Sequence, residues 1–351
     1  MEESPRACGE SVQIGSLALA SGPMAGSPDA EALARAIAPV CGAGTVVGLR
    51  RLSGGASRET WSFDLVDAAG KSSGFVLRRD PGEHGGESDR STEYLLFEAA
   101  AAAGVAVPRV RTLLRPEDAL GRGFVMDRVE GETIPRKILR DDAYAGARSL
   151  LAAQCGEIAA KIHANDPASL PVMPTLDAAA QLDQYRTLLD AFGEPHPAFE
   201  LGLRWLADRI PPPPPRPELV HGDFRNGNFI VGPEGIRAVL DWELAHLGDP
   251  SEDLGWLCVK SWRFGVADQL VGGFGAVPDL LTAYERAGGR AIDEDTLRFW
   301  IGLGTLKWGV ICVGQTLVHL NGVVRSVELA ALGRRVAEME WDLLDLLDGG
   351  W

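Results

Sequence analysis

A short polar segment lies between two strand-like apolar runs near the middle of this chain. Residues 219–220 and 229–231 are apolar, and the residues between them read His-Gly-Asp-Phe-Arg-Asn-Gly-Asn. Asp223 and Asn228 therefore have the D-x-x-x-x-N spacing by which phosphoryl-transfer enzymes place a catalytic carboxylate and a magnesium-binding carboxamide on one loop. Asp241, which follows the next apolar run, supplies a second metal oxygen.

The residue types suit a magnesium site. Magnesium is a hard cation that prefers oxygen ligands and keeps several waters, so one carboxylate and one carboxamide suffice. The alternative is a solvated hairpin in which Asp223 and Asn228 only satisfy backbone donors, since both residue types are common in turns. The second motif at residues 240–243 favours the catalytic interpretation.

Together, the two motifs resemble the signature of the aminoglycoside phosphotransferase and choline kinase family. Members of that family are protein-kinase-like enzymes that carry H-G-D-x-x-x-x-N followed by a short strand ending in I-D-W-E. The matching residues are His221, Gly222, Asp223 and Asn228, then Leu240, Asp241, Trp242 and Glu243. The resemblance implies ATP and Mg²⁺ as cofactors, Asp223 as the base, Asn228 and Asp241 on the metal, and a loop shaped by His221 and Gly222.

A glycine-containing turn between two strand-like runs is the candidate nucleotide loop. Glycines let backbone amides approach phosphate oxygens closely. By itself such a turn is more often a hairpin connection, but it stands where the resembling family has its nucleotide loop. The candidate contacts are Ser53, Gly54, Gly55 and Ser57.

The next predicted strand, residues 74–81, carries Arg78 where kinases place a lysine on the α- and β-phosphates. Arginine keeps the charge, but arginine and lysine are not interchangeable. Arg79 is an alternative phosphate contact. On the helix predicted at residues 88–103, Glu93 is the expected partner of the strand cation, with Glu98 as the alternative. Arginine at this position also occurs in the branch that resembles the kinase domain fused to acyl-CoA dehydrogenases.

The segment after the strand at residues 123–126 resembles the hinge between the two lobes of a kinase. The resemblance implies that adenine lies here, with Met126 against the base and main-chain contacts from Asp127 and Val129. Further along, the run at residues 246–256 repeats the family's G-D-P-x-x-D-L pattern, whose acidic residues brace the catalytic loop. Candidate substrate contacts are Glu243, Asp253 and Trp256.

These features predict an α+β, protein-kinase-like fold with two lobes. The smaller lobe has a five-stranded antiparallel sheet and a helix, and the larger lobe is mainly helical. The expected divisions are a flexible leader at residues 1–27, a nucleotide-binding lobe at 28–130, and a catalytic and substrate-binding lobe at 131–351. A helical insertion is expected at about residues 175–210, and a stiff proline-rich spacer follows it.

Composition excludes several other classes of protein. The net charge of −15 leaves no basic excess for a nucleic-acid partner. Five scattered cysteines without C-x-x-C spacing indicate neither a disulfide framework nor a zinc site, so a cytoplasmic location is expected. The apolar run at residues 299–320 is long enough for a membrane span, but Lys307, Gln315 and several glycines interrupt it, and a buried helix is the better interpretation.

A final helix is predicted at residues 324–347, with Val327, Leu329, Leu332, Val336 and Leu343 on its packing face.

The predicted activity is ATP-dependent phosphorylation of a hydroxyl group on a small molecule. The sequence leaves open whether the acceptor is an aminoglycoside, choline or a hydroxyacyl-CoA, and it leaves the oligomeric state open. Trp256, Trp262, Trp300 and Trp308 either form an aromatic wall for the acceptor or pack in the core. The competing hypothesis is a pseudokinase that binds nucleotide without turnover, which is motivated by the missing lysine at position 78.

Overall fold

A computed structural model describes residues 26–52, 59–80 and 90–350. The predicted nucleotide-loop residues Ser53, Gly54, Gly55 and Ser57 lie outside these ranges. In the smaller lobe the elements are α1 (Ala30–Cys41), β1 (Gly44–Arg51), β2 (Glu59–Asp67), β3 (Ser72–Asp80), α2 (Arg90–Ala102), β4 (Val110–Leu113) and β5 (Arg122–Asp127). The five strands form one antiparallel sheet in the order β1-β2-β3-β5-β4.

Helices cover both faces of this sheet. Side chains alternate between the faces of a strand, so Phe75 and Leu77 of β3 join the core beneath α1, whereas Val76 packs on the α2 side. The same alternation places Arg78 on the α2 face and Arg79 on the α1 face. Arg79 is buried there against the Glu59 carboxylate, at 2.9 Å. The alternative assignment of Arg79 to the phosphates is therefore wrong, because its guanidinium faces away from α2 and is already paired.

The larger lobe is mainly helical. Its elements are α3 (Pro135–Arg140), α4 (Ala145–His163), α5 (Ala178–Phe192), α6 (Pro197–Ala207), β6 (Glu218–Val220), β7 (Phe229–Gly232), β8 (Gly235–Val239), β9 (His246–Gly248), α7 (Ser251–Cys258), α8 (Val277–Arg286), α9 (Glu294–Leu320), α10 (Val327–Leu332) and α11 (Val336–Leu347). The antiparallel pairs β6–β9 and β7–β8 flank the polar segment. The predicted two-lobe α+β architecture is confirmed; the lobe boundaries and the leader stay predictions.

Helix α9 is the long apolar helix of the sequence. Among the described helices it alone is long and apolar enough to span a membrane, and 67% of its most apolar window is buried inside the protein. Its apolar residues Phe299, Trp300 and Leu303 pack against α5 and α6. This burial agrees with the prediction of a core helix in the larger lobe.

The C-terminal region differs from the prediction of one continuous helix. A 3₁₀ turn at Gly333–Arg335 separates α10 from α11. At Gly333 the backbone passes so close to α9 that a Cβ would lie 2.8 Å from the Thr316 side chain. Val327 was expected on the packing face but is 85% exposed, since the chain turns at this point and presents only Leu329 of α10 fully to the core.

Candidate active site

The polar segment forms the loop between β6 and β7. Gly222 has a φ of +79°, and a Cβ on it would lie 2.3 Å from the Leu244 carbonyl oxygen. Both the backbone conformation and the close approach therefore require glycine here. The chain turns tightly at Gly222, and the side chain of the next residue, Asp223, faces Asn228 and Trp256 of α7.

Three donors hold the Asp223 carboxylate. Oδ1 accepts hydrogen bonds from Arg225 Nε at 2.8 Å and from Trp256 Nε1 at 2.7 Å. Oδ2 accepts a bond of 2.6 Å from Asn228 Nδ2. An ionised carboxylate has about four acceptor positions, so one remains for the hydroxyl group of a bound acceptor.

Asn228 and Asp241 lie on neighbouring segments beside Asp223. The Leu240 N–H donates to the Asn228 carbonyl at 2.8 Å, which fixes Asp241 next to the loop. Asp241 has a φ of +66°, a left-handed conformation that is costly for a non-glycine residue and that concentrates at functional sites. Thus the structure brings all three predicted catalytic residues together.

The donor set of this pair fits magnesium. Asn228 uses its amide nitrogen on Asp223, so its carboxamide oxygen is the atom that would bind a metal, with a carboxylate oxygen of Asp241 as the second ligand. In the part of the chain that the structure describes, no group of three or more His, Cys, Asp or Glu side chains could hold a metal ion. Two oxygen ligands are sufficient for a cation that completes its coordination with water and phosphate.

Arg78 bridges the two lobes. Its Nη1 lies 3.2 Å from Glu93 on α2, its Nη2 lies 2.8 Å from Asp241, and Glu243 is 3.8 Å away. Burial alone would lower the pKa of Arg78, but the charges of Glu93 and Asp241 more than offset this effect and raise the pKa. The predicted pairing of the strand cation with Glu93 is present, and Glu98 is not needed for it.

Arg90, at the start of α2, holds Glu93 in place. Its Nη1 donates to Glu93 at 2.6 Å, while Nε and Nη2 form a two-pronged ion pair with Asp80 at 2.8 and 2.7 Å. All three side chains are buried. The end of β3 and the start of α2 are therefore joined by one network that ends at Arg78.

We expect Arg78→Lys to raise the KM for ATP by about tenfold, because it loses a charge-assisted hydrogen bond worth about 1.5–3 kcal/mol. Lysine carries its three donors on a single nitrogen and lacks the planar fork with which Arg78 contacts Glu93 and Asp241 through separate nitrogens. Steady-state kinetics with varied ATP would measure the change, and Arg136→Lys, on the exposed face of α3, is the matched control. An unchanged KM would mean that Arg78 does not act on the nucleotide.

Asp253 braces the catalytic loop from below. Its carboxylate accepts the backbone N–H groups of His221 and Gly222 at 2.8 and 2.9 Å. The ring of His163 lies 3.1 Å from the same carboxylate and 2.9 Å from the Tyr284 hydroxyl. His163 is therefore a hydrogen-bonded structural residue.

His221 is a neutral structural histidine. Its Nδ1 accepts the Asp223 N–H at 3.2 Å, and Nε2 lies 3.0 Å from the Leu240 carbonyl, so the proton belongs on Nε2. Burial lowers the pKa of His221. The ring therefore connects the catalytic loop to the segment that carries Asp241 without adding a charge.

A buried lysine on α9 supports the loop from the other side. Lys307 Nζ donates to the Gly222 carbonyl at 3.1 Å, lies 3.4 Å from Glu252, and sits 4.7 Å from the ring centre of Trp256. Burial would raise the pKa of Glu252, but His246 and Lys307 lower it to about 2. Lys307 thus contacts both the loop and the tryptophan that donates to Asp223.

The predicted hinge residues follow the end of the sheet. Met126 is buried in the core, and the Asp127 side chain is bound by Arg111 at 2.6 and 2.7 Å. Val129 is half-buried in the extended segment that leaves β5. With the Asp127 side chain occupied in this way, any nucleotide contact here would use the main chain.

Two of the three predicted substrate contacts are wrong. Asp253 is 0% exposed and is occupied by two backbone donors and His163, so it cannot reach a substrate. Trp256 is 3% exposed and acts through Asp223 instead. Glu243 remains accessible, and it lies beside Arg78.

Three cations of this site were not predicted from the sequence: Arg90, Arg225 and Lys307. Arg90 stands in the first turn of a helix, where the helix dipole favours acidic residues, and this unusual position was a usable signal. Lys307 interrupts an apolar run and was noted only as evidence against a membrane span. Arg225 lies two residues after Asp223, within the motif itself.

The fold and the loop define a phosphotransferase of the protein-kinase-like class. Residues 48–300 match the model of the phosphotransferase enzyme family (APH), and the chain belongs to this family. The predicted resemblance is thereby confirmed.

Among curated proteins, the chain is similar to acyl-CoA dehydrogenase family members. It is 28% identical to member 11 of Gallus gallus over 84% of this chain and 40% of the relative. It is 30% identical to member 10 of Mus musculus over 58% of this chain and 20% of the relative. The chain therefore corresponds to less than half the length of these proteins.

Solved structures share the fold. A proposed aminoglycoside phosphotransferase of Ralstonia eutropha aligns over 91% of this chain and 98% of its own, with a TM-score of 0.70 and 23% identity. A choline/ethanolamine kinase family protein from Mesorhizobium loti aligns over 89% and 94%, with a TM-score of 0.59 and 22% identity. Spectinomycin phosphotransferase, in complex with ADP and spectinomycin, aligns over 91% and 98%, with a TM-score of 0.60 and 12% identity.

Proposed function

We propose that this protein transfers the γ-phosphoryl group of ATP to a hydroxyl group of a small molecule, with Mg²⁺ as cofactor. The observation that carries the proposal is the 2.6 Å hydrogen bond between Asn228 and Asp223, with Asp241 held on the adjacent segment. An ADP-bound phosphotransferase among the structures with this fold supports the choice of nucleotide.

Asp223 has the role of base. The hydroxyl group donates its hydrogen bond to the remaining acceptor position of the carboxylate, and its proton passes to Asp223 late in the reaction. The bond from the acceptor oxygen to the γ-phosphorus forms as the bond to the β,γ-bridging oxygen breaks, and ADP leaves. Arg225 and Trp256 keep the carboxylate in one orientation, so little rearrangement is needed.

The cation at Arg78 supports a triphosphate in the cleft. Its Nε is buried and has no hydrogen-bond partner among the described residues, so a phosphate oxygen that reached it would satisfy an unpaired donor. When bound by Asn228 and Asp241, magnesium would neutralise negative charge on the phosphates. With its negative charge neutralised by magnesium and Arg78, a triphosphate can bind to a protein whose own net charge is −15.

A pseudokinase is the second candidate, because arginine replaces the usual lysine at position 78. The retained set of Asp223, Asn228 and Asp241 argues against it. Thermal unfolding with ATP, with and without MgCl₂, followed by transfer assays on an aminoglycoside, choline and a hydroxyacyl-CoA, tests both candidates. Stabilisation by ATP that needs magnesium, together with transfer to one acceptor, is expected. Stabilisation without transfer would favour the pseudokinase, and the absence of any stabilisation would overturn both.

A further inference from the structure

We infer that Arg225 binds an anionic group of the acceptor, so that the substrate is a hydroxy compound with a carboxylate or phosphate a few bonds from the reacting hydroxyl. This inference rests on the proposed function and goes on to define the charge of the substrate. Arg225 lies directly against the catalytic carboxylate of Asp223.

Arg225 is fixed in place but only partly used. Its Nε donates to Asp223 at 2.8 Å, and its guanidinium lies 4.3 Å from the ring centre of Trp262. Nη1 makes a long contact of 3.4 Å with the Asn226 carbonyl, and Nη2 has no protein partner in the described ranges. The side chain is 22% exposed. An oriented guanidinium with free donors is the group that proteins use to bind carboxylates and phosphates.

The position of Arg225 ties it to the acceptor. A reacting hydroxyl has to lie within hydrogen-bond reach of Asp223, about 3 Å. Arg225 is held to the same carboxylate through its Nε. Its Nη2 is therefore close to the atoms that neighbour the reacting hydroxyl of a bound acceptor. The phosphate side is served by Arg78, which contacts Asp241 from the opposite lobe.

The tryptophan cluster beside Asp223 does not suit a cationic acceptor. Trp262 packs against Trp256 and Trp308, with ring centres 5.1 and 5.0 Å apart. An aromatic cage binds a quaternary ammonium through free ring faces, but here Arg225 lies over Trp262 and Lys307 lies over Trp256. The protein's own cations occupy these faces and would repel choline or an aminoglycoside.

The identity of the acceptor can be tested without knowing it in advance. The protein is incubated with Mg²⁺, γ-labelled ATP and the small-molecule fraction of a bacterial extract, and labelled products are identified by mass spectrometry. We expect the unphosphorylated parent of the main product to carry a carboxylate or a phosphate near the new ester, and its structure distinguishes the two. A neutral or cationic parent would overturn the inference while leaving the proposed function intact. No labelled product would overturn the proposed function itself.

Arg225 is then tested on that acceptor with a matched neutral analogue, its methyl ester or dephosphorylated form. We expect Arg225→Gln to raise the KM for the anionic acceptor by about tenfold or more, with partial recovery in Arg225→Lys. The KM for ATP should change by less than about twofold, and the loss of kcat/KM with the neutral analogue should be smaller than the loss with the anionic acceptor, because it contains only the contribution that Arg225 makes by orienting Asp223. Equal losses on the charged and neutral acceptors would show that Arg225 only positions Asp223 and would refute the inference.

Discussion

Replacing Asp223 with asparagine is expected to lower kcat by about 10³-fold, within the range of about 10²–10⁴ for loss of a general base. The asparagine side chain has the same shape and its oxygen still accepts hydrogen bonds from Trp256 and Arg225, but its amide nitrogen would face Asn228 Nδ2 and it cannot take the hydroxyl proton. The affinity for ATP should stay within about twofold, since the carboxylate acts on the acceptor. Single-turnover phosphate transfer and a nucleotide titration separate the two effects.

The control for this substitution is Asp142→Asn, which removes one exposed carboxylate from the same lobe and should leave both quantities unchanged. Unfolding curves of both variants verify that the fold is retained. If Asp223→Asn keeps turnover within about tenfold of the wild type, Asp223 is not the base, because a smaller loss lies below the usual effect of removing one.

Asp253→Ala should cost about 3–5 kcal/mol of the free energy of unfolding, the largest stability effect that we expect from one polar substitution. The alanine leaves two buried backbone N–H groups in the catalytic loop without an acceptor, and each such group costs about 1–3 kcal/mol. It also removes the partner of His163. Because the same N–H groups set the path of the loop before Asp223, activity should fall even where the protein remains folded.

Urea-induced unfolding measures this change, with Asp268→Ala as the matched control on the surface of the larger lobe. Asparagine is not a mild substitute at position 253, because its amide group would point at an N–H that needs an acceptor. A loss below about 1 kcal/mol would mean that the loop finds other acceptors, such as water, and that Asp253 is not its main support.

The central chemistry of the site was accessible from sequence because it is local. Asp223 and Asn228 are five positions apart on one loop, and their residue types already specify a carboxylate next to a carboxamide. The strand that carries Arg78 and the helix that carries Glu93 were predictable for a similar reason. Each has its own periodicity, and the lobe that contains them is built from neighbouring segments.

The resemblance implied that the acidic residues of the 246–256 run brace the loop, but no local pattern could predict the individual supporting contacts, because the partners are distant in the chain. Lys307 donates to the carbonyl of Gly222 from 85 positions away, and Asp253 accepts the N–H of Gly222 from 31 positions away. A local pattern assigned Asp253 to the substrate, yet packing places it beneath the loop with no access to the cleft. The break at Gly333 was missed because it depends on how close α9 lies, which no periodicity contains.

Glu93 is held by two arginines, Arg78 and Arg90, and this arrangement bears on how the protein can be controlled. Many kinases are switched by moving the helix that carries this glutamate. In this protein Arg90 also ties the start of α2 to Asp80 at the end of β3, so moving the helix would have to separate this buried pair together with the pair between Arg78 and Glu93. We therefore expect α2 to keep this position, with Glu93 paired to Arg78, whether or not the cleft is occupied.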